Sequence, residues 1–373
     1  GRTNLKFNEK LQLEGYGAYG FKDREFKYYG SVLWSFRENF QDPPKQYVKL
    51  SYMHETKFPG QILEYITEDN FLLSFRRGRQ DKMMFFTSAR AEYFHEMRNN
   101  FGYHAILENR KHVPLGTLDF SFSESPDVTA QLADITTTEL KLNLQYSPNA
   151  QYFNSKNFRY NLVNKYPVFK SFYTAGVSGI GGDYDYHQLK LNVTKRFYLS
   201  VLGYSNVEVE AGKTWGEEIP YVLLFLPRAN QTFAYQNRAY NLMNFLEFVS
   251  DEYVSVNVRH YFNGFFFNKI PLLRRLKLRE VATFKGLYGR LTNPNNPEVN
   301  PGLVQFTEDE DGVPLTNTLQ EKPYMEASVG ISNVFKVLRI DFVKRLTYLD
   351  LPNTPELWGV KGLGLRARAV LEF

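Results

Sequence analysis

The end of the chain has the clearest alternation of apolar and polar positions. The apolar series is Leu363, Leu365, Ala367, Ala369, Leu371 and Phe373, and the residues between are Gly364, Arg366, Arg368, Val370 and Glu372. A period of two residues is that of a β-strand. One face is apolar and the other carries two arginines and a glutamate, which suits lipid on one side and a wet interior on the other. The alternative is an edge strand of a soluble β-sandwich.

Similar alternation recurs along the chain and predicts an all-β protein. The predicted strands are Leu11–Gly20, Glu25–Arg37, Gln46–Glu55, Lys82–Glu96, Phe101–Val113, Ile135–Ser147, Pro167–Val177, Tyr184–Arg196, Leu199–Lys213, Glu252–Phe262, Leu272–Arg290, Tyr324–Ser332, Lys336–Tyr348 and Trp358–Phe373. Two weaker segments, Phe71–Arg77 and Gly116–Phe122, raise the total to about sixteen. Because bacterial single-chain barrels have even strand numbers, we predict a transmembrane antiparallel β-barrel of about sixteen strands, with fourteen as the alternative.

The connections between these strands differ in length. Tight turns are expected near Asn99-Asn100 and Asn333-Val334, whereas Thr56–Asp81 and Leu291–Pro323 are long and polar. Outer-membrane barrels have this asymmetry, with short turns on the periplasmic side and long loops on the outer side. Leu291–Pro323 is therefore expected to be a solvated outer loop. The long connection Pro148–Tyr166 falls on the side of the short turns and does not fit this scheme.

Composition supports the same class. Aromatic residues make up 16% of the 373 positions, yet the mean hydropathy is −0.42, a combination that aromatic girdles, a polar interior and long loops produce together. No stretch approaches the 18 apolar residues of a membrane helix. Cysteine is absent, and 45 basic against 40 acidic residues give a charge of only +5, too balanced to indicate nucleic acid as a partner. We predict one barrel domain over residues 1–373.

Candidate chemistry is sparse. His95-Glu96 lacks the second histidine of a zinc-protease motif, and Glu308–Gly312 lacks calcium-loop spacing. The glycine-rich segment Ser178–Asp183 is not followed by a helix and is predicted to be a hairpin turn. We therefore predict no enzyme activity, no cofactor and no metal. Basic residues assigned to the interior either line a selective pore or pair with acidic residues there; they are Arg259, Arg275, Lys277, Arg279, Arg366 and Arg368.

The segment Leu226–Asn295, together with ASVGISNVFKVLRIDFVKRLTYL before the last strand, resembles an uncharacterised family of outer-membrane barrels with an upstream carboxypeptidase-regulatory-like domain. More distantly, it is similar to the superfamily of BamA, TamA and the two-partner-secretion transporters. The resemblance implies an extracellular loop that folds into the lumen and carries an Arg-Gly-Phe/Tyr motif whose arginine contacts acidic residues of the wall. Arg238, Ala239 and Tyr240 occupy the matching place, with alanine where the motif has glycine.

The resemblance further implies that an upstream periplasmic domain lies outside this chain, and the polypeptide-binding repeats of BamA and TamA are not among its residues. The first hypothesis is protein insertion, translocation or outer-membrane biogenesis in a Gram-negative outer membrane. Its expected partners are outer-membrane lipid and possible client proteins or other subunits of an outer-membrane complex.

A seam that opens between the first and last strands would serve this first function, because a client strand would pair with the exposed edge. Glycines weaken strand pairing and therefore favour such a seam. The seam residues are Gly15, Gly17, Gly20, Leu365 and Leu371, and the terminal Phe373 resembles the assembly signal of outer-membrane barrels. The alternative hypothesis is a passive or gated channel, or a structural subunit of a larger complex. A third is a secreted glycan-binding β-protein.

Overall fold

The computed structural model describes residues 1–21, 23–60, 77, 82–125, 128–154, 159–162, 164–308, 312–319 and 322–369. One large sheet dominates this part of the chain. Its strands are β1 (Leu11–Tyr19), β2 (Phe26–Ser35), β3 (Gln46–Lys57), β4 (Lys82–Glu96), β5 (Phe101–Gly116), β6 (Ile135–Tyr146), β7 (Val168–Gly176), β8 (Tyr186–Tyr198), β9 (Tyr204–Trp215), β10 (Glu252–Tyr261), β11 (Arg279–Arg290), β12 (Tyr324–Val334), β13 (Leu338–Arg345) and β14 (Leu363–Ala369).

The strands are arranged in chain order, and each is antiparallel to its neighbours. The all-β antiparallel fold is therefore confirmed, with the alternative count of fourteen strands in the main sheet rather than sixteen. Gly116–Phe122 is not a further strand of this sheet, because β5 ends at Gly116 and Ser121–Ser125 pairs with Val128–Gln131 in a separate hairpin. Of the other weak segment, Phe71–Arg77, all but Arg77 lies outside the described residues.

Three predicted strands begin too early in the sequence. The predicted strand Trp358–Phe373 starts only at Leu363, because Trp358 has a φ of 53° in the turn of a small hairpin between Glu356–Leu357 and Val360–Lys361. Leu272–Leu278 is not extended: a short helix, α1 (Pro271–Arg275), precedes β11, and Lys277 has a φ of 54°. Proline suits the first position of a helix because it has no N–H to donate there. Residues 199–203 form a tight turn before β9. No helix in the described part of the chain is long and apolar enough to cross a membrane.

The two faces of the sheet differ in polarity, as the alternation predicts. Val254 on β10 and Val329 on β12 point to the outer face and are 54% and 67% exposed. On the inner face, buried polar and charged side chains alternate with them, including Glu108, Glu208 and Asp341. The sheet curls around this inner face, since one apolar cluster joins residues of β4, β6 and β8 to the long connections.

The connections separate into two ends. One end carries both termini and the short turns, in which Asn100 and Asn333 have positive φ. The connection 147–167 at this end contains a small hairpin, Tyr152–Asn154 with Arg159–Asn161. The prediction of a solvated loop for Leu291–Pro323 is wrong over much of its length, because Leu303, Val304 and Phe306 are buried against the apolar interior.

Candidate functional site

The connection between β9 and β10, residues 216–251, folds into the space enclosed by the curled sheet; we call it the inner segment. Tyr221, Leu242, Met243 and Phe248 within it are almost fully buried. Met243 and Phe248 belong to an apolar cluster with Leu287 and Tyr324, whereas Tyr221 and Leu242 belong to two further clusters that also include residues of the sheet. The burial of so many apolar groups holds the segment inside, because each fully buried large side chain contributes about 1.5–3 kcal/mol.

Ion pairs fix the inner segment to the wall on β9. Arg228 Nη2 donates to Glu210 Oε2 at 2.7 Å, and Arg228 Nη1 lies 3.9 Å from Glu208 Oε1. Arg238 Nε lies 3.4 Å from Glu208 Oε2, at a more exposed position than Arg228. Both arginines thus contact neighbouring carboxylates of one strand, and Arg228, which the sequence did not single out, makes the shorter contact.

Ala239 and Tyr240 are also placed against the wall. Ala239 is buried and does not have a positive φ, so this position does not require glycine. Lys285 Nζ donates to Ala239 O, and Tyr240 Oη donates to Gly286 O at 3.2 Å. Burial raises the pKa of the Tyr240 phenol above its ordinary value.

Carboxylates and arginines on β12, β13 and β14 complete the attachment. Glu326 accepts hydrogen bonds from the backbone N–H groups of Asn241 and Leu242 at 2.9 and 3.2 Å. Arg345 pairs with Glu247, and Arg366 Nη2 donates to Asn241 O at 2.9 Å. Period-two alternation in the sequence already indicated that Arg366 faces inward. The partners of these wall residues could not be predicted without knowing where the inner segment lies.

Part of the inner segment binds the edge of the last strand. Tyr235 N donates to Ala367 O at 2.8 Å, and Ala367 N donates to Phe233 O at 3.1 Å, in a parallel bridge between Ala234 and Ala367. Ala367 belongs to β14 and stands opposite Ile340 of β13. The N–H and C=O groups of Ala367 both hydrogen-bond to the inner segment, so they point away from β13. They face the side that β1 would occupy in a closed barrel.

The seam itself is not hydrogen-bonded in the described residues. β1 and β14 are not neighbours there, so the sheet is not closed between its first and last strands. The free edge of β1 instead bonds the first residues of the chain, with Gly15 N donating to Gly1 O and Thr3 N donating to Leu13 O, both at 2.9 Å. Gly15 stands opposite Gly30 and Gly17 opposite Tyr28, whereas Gly20 follows the end of β1. Leu365 points to the outer face of β14 and is partly exposed. Leu371 and Phe373 lie outside the described residues.

Beside the inner segment lies a cavity of about 500 Å³ lined by charged side chains of both signs. They include Arg110, Lys141, Lys190, Glu208 and Glu210. Many of the charges compensate each other: Lys141 Nζ lies 2.6 Å from both Glu108 and Glu139. Among the described residues, no group of three His, Asp or Glu side chains is placed to hold a metal ion.

Comparisons with protein families and with solved structures both give matches. Residues 2–303 match the C-terminal domain of a family of unknown function, DUF5686. The fold is similar to the crystal structure of BamA from Haemophilus ducreyi lacking POTRA domains 1–3, with a TM-score of 0.50 and 8% identity, covering 97% of this chain and 71% of that one. No curated protein sequence matches significantly. At that identity the similarity to BamA concerns the fold alone.

Proposed function

We propose, on the premise that this chain belongs to the DUF5686 family of unknown function, that it is an integral outer-membrane β-barrel that takes part in inserting or translocating proteins. The BamA-like fold and the apolar outer face support the barrel and its membrane location. One observation above the others supports the role in protein insertion: the edge of β14 hydrogen-bonds to the inner segment and not to β1.

That edge accepts a strand-like segment which is not its neighbour in the sheet. The backbone of Phe233–Tyr235 takes the hydrogen bonds of Ala367 that β1 does not take. A free edge that binds one extended segment offers the same N–H and C=O groups to another, which is the chemistry of β-augmentation. A client strand would replace Phe233–Tyr235 on β14 during insertion.

A disulfide that holds the segment on the edge tests this role. Because the chain has no cysteine, the pair Ala234→Cys and Ala367→Cys is the only thiol pair in the variant. We expect cells whose sole copy carries the closed disulfide to lose outer-membrane proteins as cells without the gene do, and to recover when the disulfide is reduced. Normal outer-membrane protein levels with the disulfide fully formed would contradict the proposal.

The matched control joins two strands that stay paired throughout. Phe342 and Leu365 are opposite residues on β13 and β14. A disulfide between cysteines at these positions locks the same strand without holding the inner segment. We expect this variant to support normal levels of outer-membrane proteins.

A gated channel is the second candidate, and the position of the inner segment favours it. Residues 231–243 run through the enclosed interior and are largely buried. Removing Gln231–Met243 is expected to raise single-channel conductance strongly in planar bilayers if the segment is a plug. Unchanged conductance in the deletion variant excludes a plug.

A further inference from the structure

Three connections at the end that carries both termini, taken together with the ends of β8 and β12 that lead into them, are rich in basic residues and contain no acidic ones. They are residues 195–203, 262–278 and 333–337, which we call the basic rim. It contains seven of the chain's 45 basic residues and none of its 40 acidic residues. The basic residues are Lys195, Arg196, Lys269, Arg274, Arg275, Lys277 and Lys336. Arg275 and Lys277, predicted to face the interior, belong to this rim instead.

The three connections form one continuous surface. They join β8 to β9, β10 to β11 and β12 to β13, so they are consecutive along the same edge of the sheet. Gly203 approaches the start of the second connection so closely that a Cβ there would lie 2.0 Å from Tyr261 O and 3.2 Å from Phe262 C. Asn333 Nδ2 donates to Lys277 O at 2.8 Å, which joins the second connection to the third.

The middle connection lies on the outer side of the sheet. Glu280 shares the outward side of β11 with the exposed Phe284 and Tyr288, and its carboxylate accepts hydrogen bonds from Gly264 N and Phe267 N. The rings of Phe262 and His260, the latter an outward residue of β10 like Val254, are 4.1 Å apart. Residues 262–267 therefore fold against the face that we assign to lipid.

Large apolar side chains are exposed beside these cations. Val201, Leu272 and Phe335 are 76%, 66% and 85% exposed, and Phe266, Ile270 and Leu276 are exposed as well. Lys195 and Lys269 lie over the rings of Phe197 and Phe265. Apolar side chains next to long cationic ones are the composition of surfaces that lie in the interface of a membrane.

We infer that the basic rim binds the headgroups of anionic phospholipids. Its apolar side chains continue the lipid-facing surface of the sheet, and six of its cations match the negative charge of phosphatidylglycerol or cardiolipin. The seventh, Arg196, shares the inner side of β8 with Asn192 and donates to Asn206. The seven basic side chains are not neutralised within the rim, since it has no carboxylate side chain. The inference rests on the membrane location, not on a role in protein insertion, so the two can fail separately.

Lipid binding by the full chain in a non-ionic detergent tests this inference. We expect native mass spectrometry to show phosphatidylglycerol retained in preference to phosphatidylcholine. In the triple variant Arg274→Gln, Arg275→Gln, Lys277→Gln the apparent affinity for phosphatidylglycerol is expected to fall at least about tenfold, because each basic residue near an anionic surface contributes substantially to binding.

The control variant removes three exposed basic residues from the opposite end of the sheet. Lys111→Gln, Lys213→Gln and Arg290→Gln change the net charge equally and are expected to retain the lipid preference. The heat-dependent shift of folded barrels in gel electrophoresis verifies folding of each variant. Equal retention of both lipids by the unchanged chain, or equal loss in both variants, would overturn the inference. So would a dimer in detergent that only the rim variant dissociates, which would make the rim a contact between two copies.

Discussion

Arg345 Nη1 on β13 and Glu247 Oε1 of the inner segment are 2.6 Å apart, and both side chains are almost completely buried. The pair joins the wall to the inner segment. Arg345 also donates from Nε to Thr347 O, and Glu247 Oε2 accepts from Asn244 N. Because each partner also bonds a backbone group near it, the pair holds the inner segment at one defined height in the barrel.

Replacing Glu247 by alanine should release this part of the inner segment. Arg345 would remain as a buried unpaired cation, and breaking such a pair costs about 3–5 kcal/mol. We expect the free energy of unfolding in urea to fall by that amount, and proteases to cut within residues 216–251 faster. The exposed pair Arg290–Glu252, 2.9 Å apart, is the control. Arg290→Gln is expected to cost less than about 1 kcal/mol.

The two arginines of the inner segment should differ in importance. Arg228 is more buried than Arg238 and makes the shorter contact, 2.7 Å against 3.4 Å. Arg228→Met is therefore expected to destabilise the barrel by about 2–4 kcal/mol and Arg238→Met by about 1 kcal/mol or less. Urea titration of both variants in the same detergent measures the difference. A larger loss for Arg238→Met would show that the motif arginine carries the attachment.

Glu326 and Lys285 form a second buried pair, 3.4 Å apart, beneath the inner segment. Glu326→Ala leaves Lys285 without its carboxylate partner and also removes the acceptor of two backbone N–H groups. We expect a loss of about 3–5 kcal/mol. Adding Lys285→Met should recover part of that loss, and a double-mutant cycle measures the coupling. No recovery would mean that the backbone contacts of Glu326, not its charge, hold the segment.

The strands were predictable from sequence because one face of the sheet is apolar and the other is polar, and that difference leaves a period-two pattern. The bounds of β4 are those predicted, Lys82–Glu96. The start of β11 was not predictable in this way. Leu272, Leu273, Leu276 and Leu278 alternate with basic residues in a spacing that both a strand and a helical turn accommodate, and Pro271 favours the helix.

The candidate site was only partly predictable. Alternation shows that Glu210 and Glu326 face inward, but not which residue of a 36-residue connection reaches them. Arg228 lies in that connection and Glu210 in the preceding strand, and their contact depends on how the connection turns back over the wall. The bond of Tyr235 to Ala367 joins residues more than 130 positions apart. Such contacts follow from the curl of the whole sheet, which no local pattern encodes.

We propose that the outer face of the sheet contacts lipid while the inner face does not. Val254 on β10 is 54% exposed on the outer face, and the next residue, Ser255, lines the charged cavity inside. Single cysteines at these two positions can carry a fluorescent label in bilayers containing spin-labelled lipid. We predict strong quenching of the label at position 254 and little at position 255. Equal quenching at both positions, or none at position 254, would contradict the claim.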